Sequence, residues 1–186
     1  SNVGSQDLNR NSMLLANDRA SRLDLQFISM VDDARSFIAS EYNLVLNEKV
    51  LLAGFSMSAD FAVRFTVMHP DRVRAAAYGG TSFMHILPYT RDIGRKTDLI
   101  YPIGVSDIAR ISGQGFDREA YLKVPRLFTM GLLDTEDVTR YGGLYPASMR
   151  SWIDSRLGGL ETRWNAVTRL MEELGGFEYR LYRDKG

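Results

Sequence analysis

The chain has 186 residues, 45% hydrophobic and 25% charged, a composition that supports a sizeable core and excludes disorder of the whole chain. Its 23 basic and 23 acidic residues cancel, so there is no electrostatic footprint for nucleic acid or an anionic membrane, and small neutral partners are favoured. No apolar run approaches the roughly 20 residues that span a bilayer, and without cysteine there is neither a disulfide framework nor a thiolate zinc site. The opening SNVGSQDLNR has no signal-peptide h-region; this favours the cytoplasm over secretion and leaves the compartment open.

Residues 1–20 are polar and irregular and are given no role in the fold; residues 21–186 read as one domain. From Leu23, the apolar residues Phe27, Met30, Val31, Ala34, Phe37 and Ile38 recur at helical spacing, and Ser21 with Asp24 forms a capping-box-like start. Val50 to Gly54 is a short continuous apolar run, the pattern of a strand buried on both faces of a parallel sheet. From Met57 a second helix keeps Phe61, Ala62, Phe65 and Met68 on one face until Pro70 ends it near Met68. Val73 to Tyr78 and Leu127 to Met130 read as two further buried strands closed by glycines. Between them residues 81–124 are too long for a plain crossover, which predicts a cap-like excursion. Leu160 to Leu174 fits another helix, and alternation over Phe177 to Tyr182 fits an edge strand. Strands alternating with helices predict an α/β fold around a parallel sheet.

Gly54-Phe55-Ser56-Met57-Ser58 places a serine between the first strand and the helix that follows. A nucleophile elbow needs this order: a strand, a turn tight enough to demand small flanking residues, and a helix N-terminus facing the reacting centre. Ser58 stands where the commoner G-x-S-x-G pattern has its second glycine. Met57 would give its backbone N–H to an oxyanion hole, aided by the helix dipole. The plainer alternative is that Ser56 is an ordinary helix N-cap.

KVLLAGFSMSADFAVRFTVMHPDRVRAAAYGG resembles the nucleophile region of α/β-hydrolases, and RLDLQFISMVDDAR is similar to the preceding helix of bacterial esterases related to polyhydroxyalkanoate depolymerases. The resemblance runs from about Leu23 to the C-terminus. It implies a mostly parallel sheet with helices on both faces, here without the family's N-terminal strands and C-terminal histidine loop. In that family the triad acid follows a later strand in a G-x-x-D pattern. Gly131-Leu132-Leu133-Asp134 matches it, which makes Asp134 the implied acid and Asp137 a second candidate in the same loop. A carboxylate there would share the sheet edge of Ser56 and orient a histidine; alternatively, Asp134 and Thr135 merely form a turn.

The chain holds two histidines, and neither suits the base. His69 lies 13 residues after Ser56, about 20 Å along a helix, and is expected to support that helix's C-terminus. His85 precedes Asp134, against the order serine, acid, histidine of the resembled family. The expectation is that the base is absent from these 186 residues and follows Gly186 at once, in a longer chain. Residues 1–22 likewise cannot supply the strands that precede the first helix in that family, so the Val50 strand would be an uncovered edge, a route to self-association.

Two functions follow. The first is a serine esterase that forms an acyl-enzyme on a small-molecule ester or polyester-like substrate, with Phe55, Phe83 and Tyr89 as candidate substrate contacts. Ile86, Leu87 and Tyr101 are equally wall or core. The second is a noncatalytic hydrolase-like domain that binds a ligand or partner. No H-E-x-x-H, phosphate loop or dinucleotide fingerprint occurs, so no metal or other cofactor is implied.

Overall fold

The computed structural model describes residues 22–81, 86–131, 133–140, 145–174 and 180–184. Four strands, β1 (Val50–Phe55), β2 (Val73–Gly79), β3 (Arg126–Gly131) and β4 (Arg180–Asp184), form one sheet in the order β1-β2-β3-β4. Every pairing is parallel, so each strand ends at the same edge of the sheet. Parallel neighbours require crossovers. Helix α1 (Leu23–Tyr42) precedes β1, and α2 (Met57–Met68) connects β1 to β2. The short helices α3 (Ile108–Ser112) and α4 (Arg118–Lys123) lie between β2 and β3, and α5 (Ala147–Arg156) and α6 (Leu160–Glu172) between β3 and β4. The fold is α/β, as the alternation of elements predicts.

The main core joins α2 to the sheet. Tyr78 of β2 donates from its hydroxyl to Thr66 Oγ1 of α2 at 2.7 Å and packs against Phe128 of β3, ring centroids 4.7 Å apart. Phe27 of α1 meets Phe61 and Phe65 edge-on at 5.6 and 5.0 Å, the geometry that aromatic quadrupoles favour. A second cluster, built on Met149, Ile153, Val167 and Met171 of α5 and α6, takes Leu87, Leu99 and Ile103 from the segment after β2. That segment sends Ile86, Tyr101, Val105 and Ile108 into the main core. It therefore contributes to both cores.

Several local expectations change. β1 is not buried on both faces: Leu51 and Phe55 are each 74% exposed, while Val50, Leu52 and Gly54 on the opposite face are half-buried. α2 covers that second face, β1 lies at the sheet margin, and no described element covers the first. The expected capping box is described only on its Asp24 side. Ser21 lies outside the described residues, Arg22 occupies the N-cap position without a side-chain cap, and Asp24 turns inward and is fully buried. Arg22 and His69 both hold its carboxylate, which competes with any local cap.

α2 stops at Met68, where Pro70 forbids continuation, and the His69 N–H donates to Phe65 O at 2.8 Å. The last strand is found at residues 180–184, paired to β3, with residues 175–179 outside the description. α5 was not foreseen, because Met149 and Ile153 are its only buried residues. Among the described residues no helix is long and apolar enough to cross a membrane.

Candidate active site

Ser56 sits between β1 and α2 with φ 55° and ψ −126°, a conformation that is essentially glycine's. An ordinary N-cap has extended backbone and a side-chain bond to the helix. Ser56 has neither: its hydroxyl makes no capping bond and the residue is exposed. The backbone around it is fixed from several sides. Its N–H donates to Gly79 O of β2 at 2.8 Å, and its carbonyl accepts the first helical bond from Asp60 at 3.1 Å.

Glycine at 54 is a steric necessity, since a Cβ there would come within 2.6 Å of the Ala59 nitrogen and the Ser58 carbonyl. Ser58 fills the slot of the second glycine and uses its hydroxyl: Oγ donates to Phe55 O at 2.8 Å and accepts from Phe55 N–H at 2.9 Å. Met57, the first helical residue, presents its N–H before the intrahelical ladder begins. The Phe55 ring lies over the glycine pair at the end of β2, where a Cβ on Gly79 would come 2.8 Å from Phe55 Cδ2.

Asp134 follows β3 in a tight turn, with its N–H donating to Gly131 O at 3.2 Å and Oδ1 accepting from the Glu136 N–H at 3.0 Å. One oxygen thus makes the turn that the plainer alternative describes. The register carries Phe55 to Gly79 and Gly79 to Thr129, so the loops of Ser56 and Asp134 leave the same edge two strand spacings apart, about 10 Å. β4 ends beside the Asp134 loop, with Gly131 paired to Asp184.

Asp137 is engaged elsewhere. Both its oxygens receive Arg163 at 3.0 Å, and Thr139 donates to Oδ1 from its N–H and its hydroxyl. Burial pushes the Asp137 carboxyl up, but Arg163 and Thr139 outweigh it and hold the group at about 2. Arg163 is itself fully buried on α6. This is a structural anchor of α6 against the loop.

His69 is placed as expected, buried at the far end of α2, where its Nε2 lies 2.8 Å from Asp24 Oδ2. Gln114 Nε2 approaches Nδ1 at 3.3 Å. His85 and Phe83 lie outside the described residues. Tyr89 lines a cavity of about 380 Å³ between the segment after β2 and helices α5 and α6, with Leu87, Trp152 and Leu170. Ser56, Phe55 and Asp134 are not among its walls. Ile86, Leu87 and Tyr101 are buried core.

Sequence reasoning overlooked Asp60 and Arg64. They follow Ser56 at successive four-residue steps on one stripe of α2, a spacing visible in the sequence. Burial pushes the Asp60 carboxyl up to about 6 against the opposing pull of Arg64, and Arg64 is hydrogen-bonded to Tyr145. No group of three or more potential metal ligands occurs among the described residues.

No protein-family model and no curated protein matches the chain. Among solved structures, poly(aspartic acid) hydrolase-1 from Sphingomonas sp. KT-1 is similar, with a TM-score of 0.54 and 16% identity over 96% of this chain and 63% of that one. The chain thus spans less than two thirds of that neighbour's length. At this identity the likeness is one of fold: both chains share an α/β architecture.

Proposed function

We propose that the chain carries the nucleophile and acid of a serine hydrolase that cleaves carboxylic esters through an acyl-enzyme. The observation that carries this is the backbone of Ser56: a non-glycine residue held in a glycine conformation at a strand-to-helix turn, with a hydroxyl that makes no capping bond to the helix. Such strain persists where surrounding structure over-determines it, and it clusters at functional sites. In the proposed mechanism the base takes the Ser56 hydroxyl proton as Oγ attacks the ester carbonyl, and the Met57 N–H and the N-terminus of α2 stabilise the oxyanion. The alcohol leaves with a proton from the base, and water then releases the acid.

Asp134 is proposed as the acid in preference to Asp137, whose oxygens are filled by Arg163 and Thr139. The base is proposed to be a histidine on the segment that follows β4, since that strand ends beside the Asp134 loop. Phe55 remains the candidate apolar contact nearest the nucleophile. Poly(aspartic acid), named for the structural neighbour, is a second acyl substrate worth testing.

The test is a fluorophosphonate probe on the intact protein, with the label mapped by peptide mass. Labelling at Ser56 that disappears in Ser56→Ala, together with turnover of p-nitrophenyl esters, is the expected result. An unlabelled intact protein would instead favour a noncatalytic binding domain.

A further inference from the structure

Ser58 departs from the glycine of the commoner elbow pattern, and its hydroxyl does something that glycine cannot. In a parallel ladder the N–H and C=O of one residue point to the same side, and the side alternates along the strand. The Ser56 N–H goes to β2 through Gly79 O, so both backbone groups of Phe55 point to the opposite side, where no described strand pairs with β1. There the Ser58 hydroxyl takes both, accepting from the N–H at 2.9 Å and donating to the C=O at 2.8 Å.

The Phe55 C=O and the Ser56 N–H belong to one rigid peptide plane. That plane is therefore held at both ends, by Ser58 on one side and Gly79 on the other. Rotation about the N–Cα bond leaving this plane sets where Ser56 Cβ points, and Oγ then swings about that Cβ through a single side-chain rotation.

We propose that Ser58 is a positioning residue for Ser56: its hydroxyl clamps the peptide that carries the nucleophile and aims Oγ. The proposal rests on Ser56 being the nucleophile. The bonds lie at an exposed position, where water can replace a lost partner, so removing the hydroxyl costs little stability. It loosens the aim of Oγ instead, and small misplacements of a reacting group cost about 100-fold in rate.

Steady-state hydrolysis of a p-nitrophenyl ester, fluorophosphonate labelling with site mapping and thermal unfolding should be compared for the intact protein, Ser56→Ala, Ser58→Ala and Ser58→Thr. Ser58→Ala should lower kcat by about 10- to 100-fold with KM and unfolding midpoint nearly unchanged, and Ser58→Thr, which keeps the hydroxyl, should recover most of kcat. A Ser58→Ala enzyme with unaltered kcat overturns the proposal, as does a loss of activity that tracks a loss of stability and is not rescued by threonine. A label found on Ser58 would make Ser58 itself the nucleophile and also overturn it. Failure of the intact protein to label defeats the reading of Ser56 first and is recognisable as such, because it precedes any comparison at Ser58.

Discussion

His69 Nε2 and Asp24 Oδ2 lie 2.8 Å apart, both side chains buried, and together they join the start of α1 to the end of α2. A histidine paired with a buried aspartate invites a catalytic interpretation, yet the twelve residues of α2 separate it from Ser56, about 18 Å of helix. Gln114 completes the cluster by donating to Met68 O at 3.1 Å while facing His69 Nδ1. His69→Ala should therefore lower unfolding free energy by about 2–4 kcal/mol, from the cavity and the lost hydrogen bond. Probe labelling of Ser56 per folded molecule should stay within about twofold, since the chemistry lies elsewhere. Denaturant melts and labelling at low temperature measure the two separately, and lost labelling in a folded variant would contradict the structural role.

The acid side of the stability profile should depend on Asp24 and Asp137. Burial pushes the Asp24 carboxyl up, but the Arg22 and His69 bonds prevail and bring it to about 2, the same level as Asp137 beside Arg163. A carboxyl whose folded value lies below its unfolded value, near 4, stabilises fully above that unfolded value. The contribution fades as pH falls from about 4 towards 2. On the order of 2 kcal/mol from each group should be lost across this window. Asp24→Asn should flatten the corresponding part of a stability-against-pH curve, and an unchanged slope would contradict the assignment.

The parallel order and the limits of α2 were legible because local chemistry decides them: a short apolar run cannot pair as a crossover strand without a helix to return it, and Pro70 stops α2 whatever surrounds it. The position of Ser56 followed from the same short-range rules. Asp24 was misread because a capping box is a local pattern, whereas Arg22 and His69 converge on that carboxylate only in three dimensions. Asp137 stood in sequence as a second candidate behind Asp134, and its bond to Arg163, 26 residues away, has no local sequence signal. α5 escaped notice because two buried residues in ten leave almost no periodic signal.

Gly54 should tolerate no side chain. A Cβ there meets backbone atoms of Ser58 and Ala59 at 2.6 Å, so either β1 or the first turn of α2 must move. Gly54→Ala should cost about 2–3 kcal/mol, at the upper end of overpacking penalties, and suppress labelling even in the folded fraction. A variant that labels like the native protein would show that this turn is looser than its contacts imply.

Asp60 should set a pH dependence of opposite sign. Its folded carboxyl, pushed by burial to about 6, lies above the unfolded value near 4. Below pH 4 both states hold the proton. Between 4 and 6 only the folded state does, so stability falls as pH rises, and above 6 the full cost remains. Asp60→Asn should be neutral at pH 4 and stabilising at pH 8, by on the order of 1–2 kcal/mol. Denaturant melts at the two pH values give the difference; a constant effect would mean that the carboxyl titrates normally.

The strain at Ser56 can be separated from the loss of its hydroxyl by comparing two variants that both lack it. Ser56→Ala must still hold a Cβ at φ 55°, ψ −126°, a conformation that costs of order 1–3 kcal/mol outside glycine. Ser56→Gly relieves that cost and gives back part of the gain through the greater freedom of the unfolded chain. The glycine variant should therefore exceed the alanine variant in unfolding free energy by about 1 kcal/mol, and both should be unreactive towards the probe. Equal stabilities would mean that the turn is relaxed in solution, removing the observation on which the nucleophile assignment chiefly rests. A more stable, inert glycine variant would mean that the native chain accepts instability at this residue, which a mere helix cap would have no reason to require.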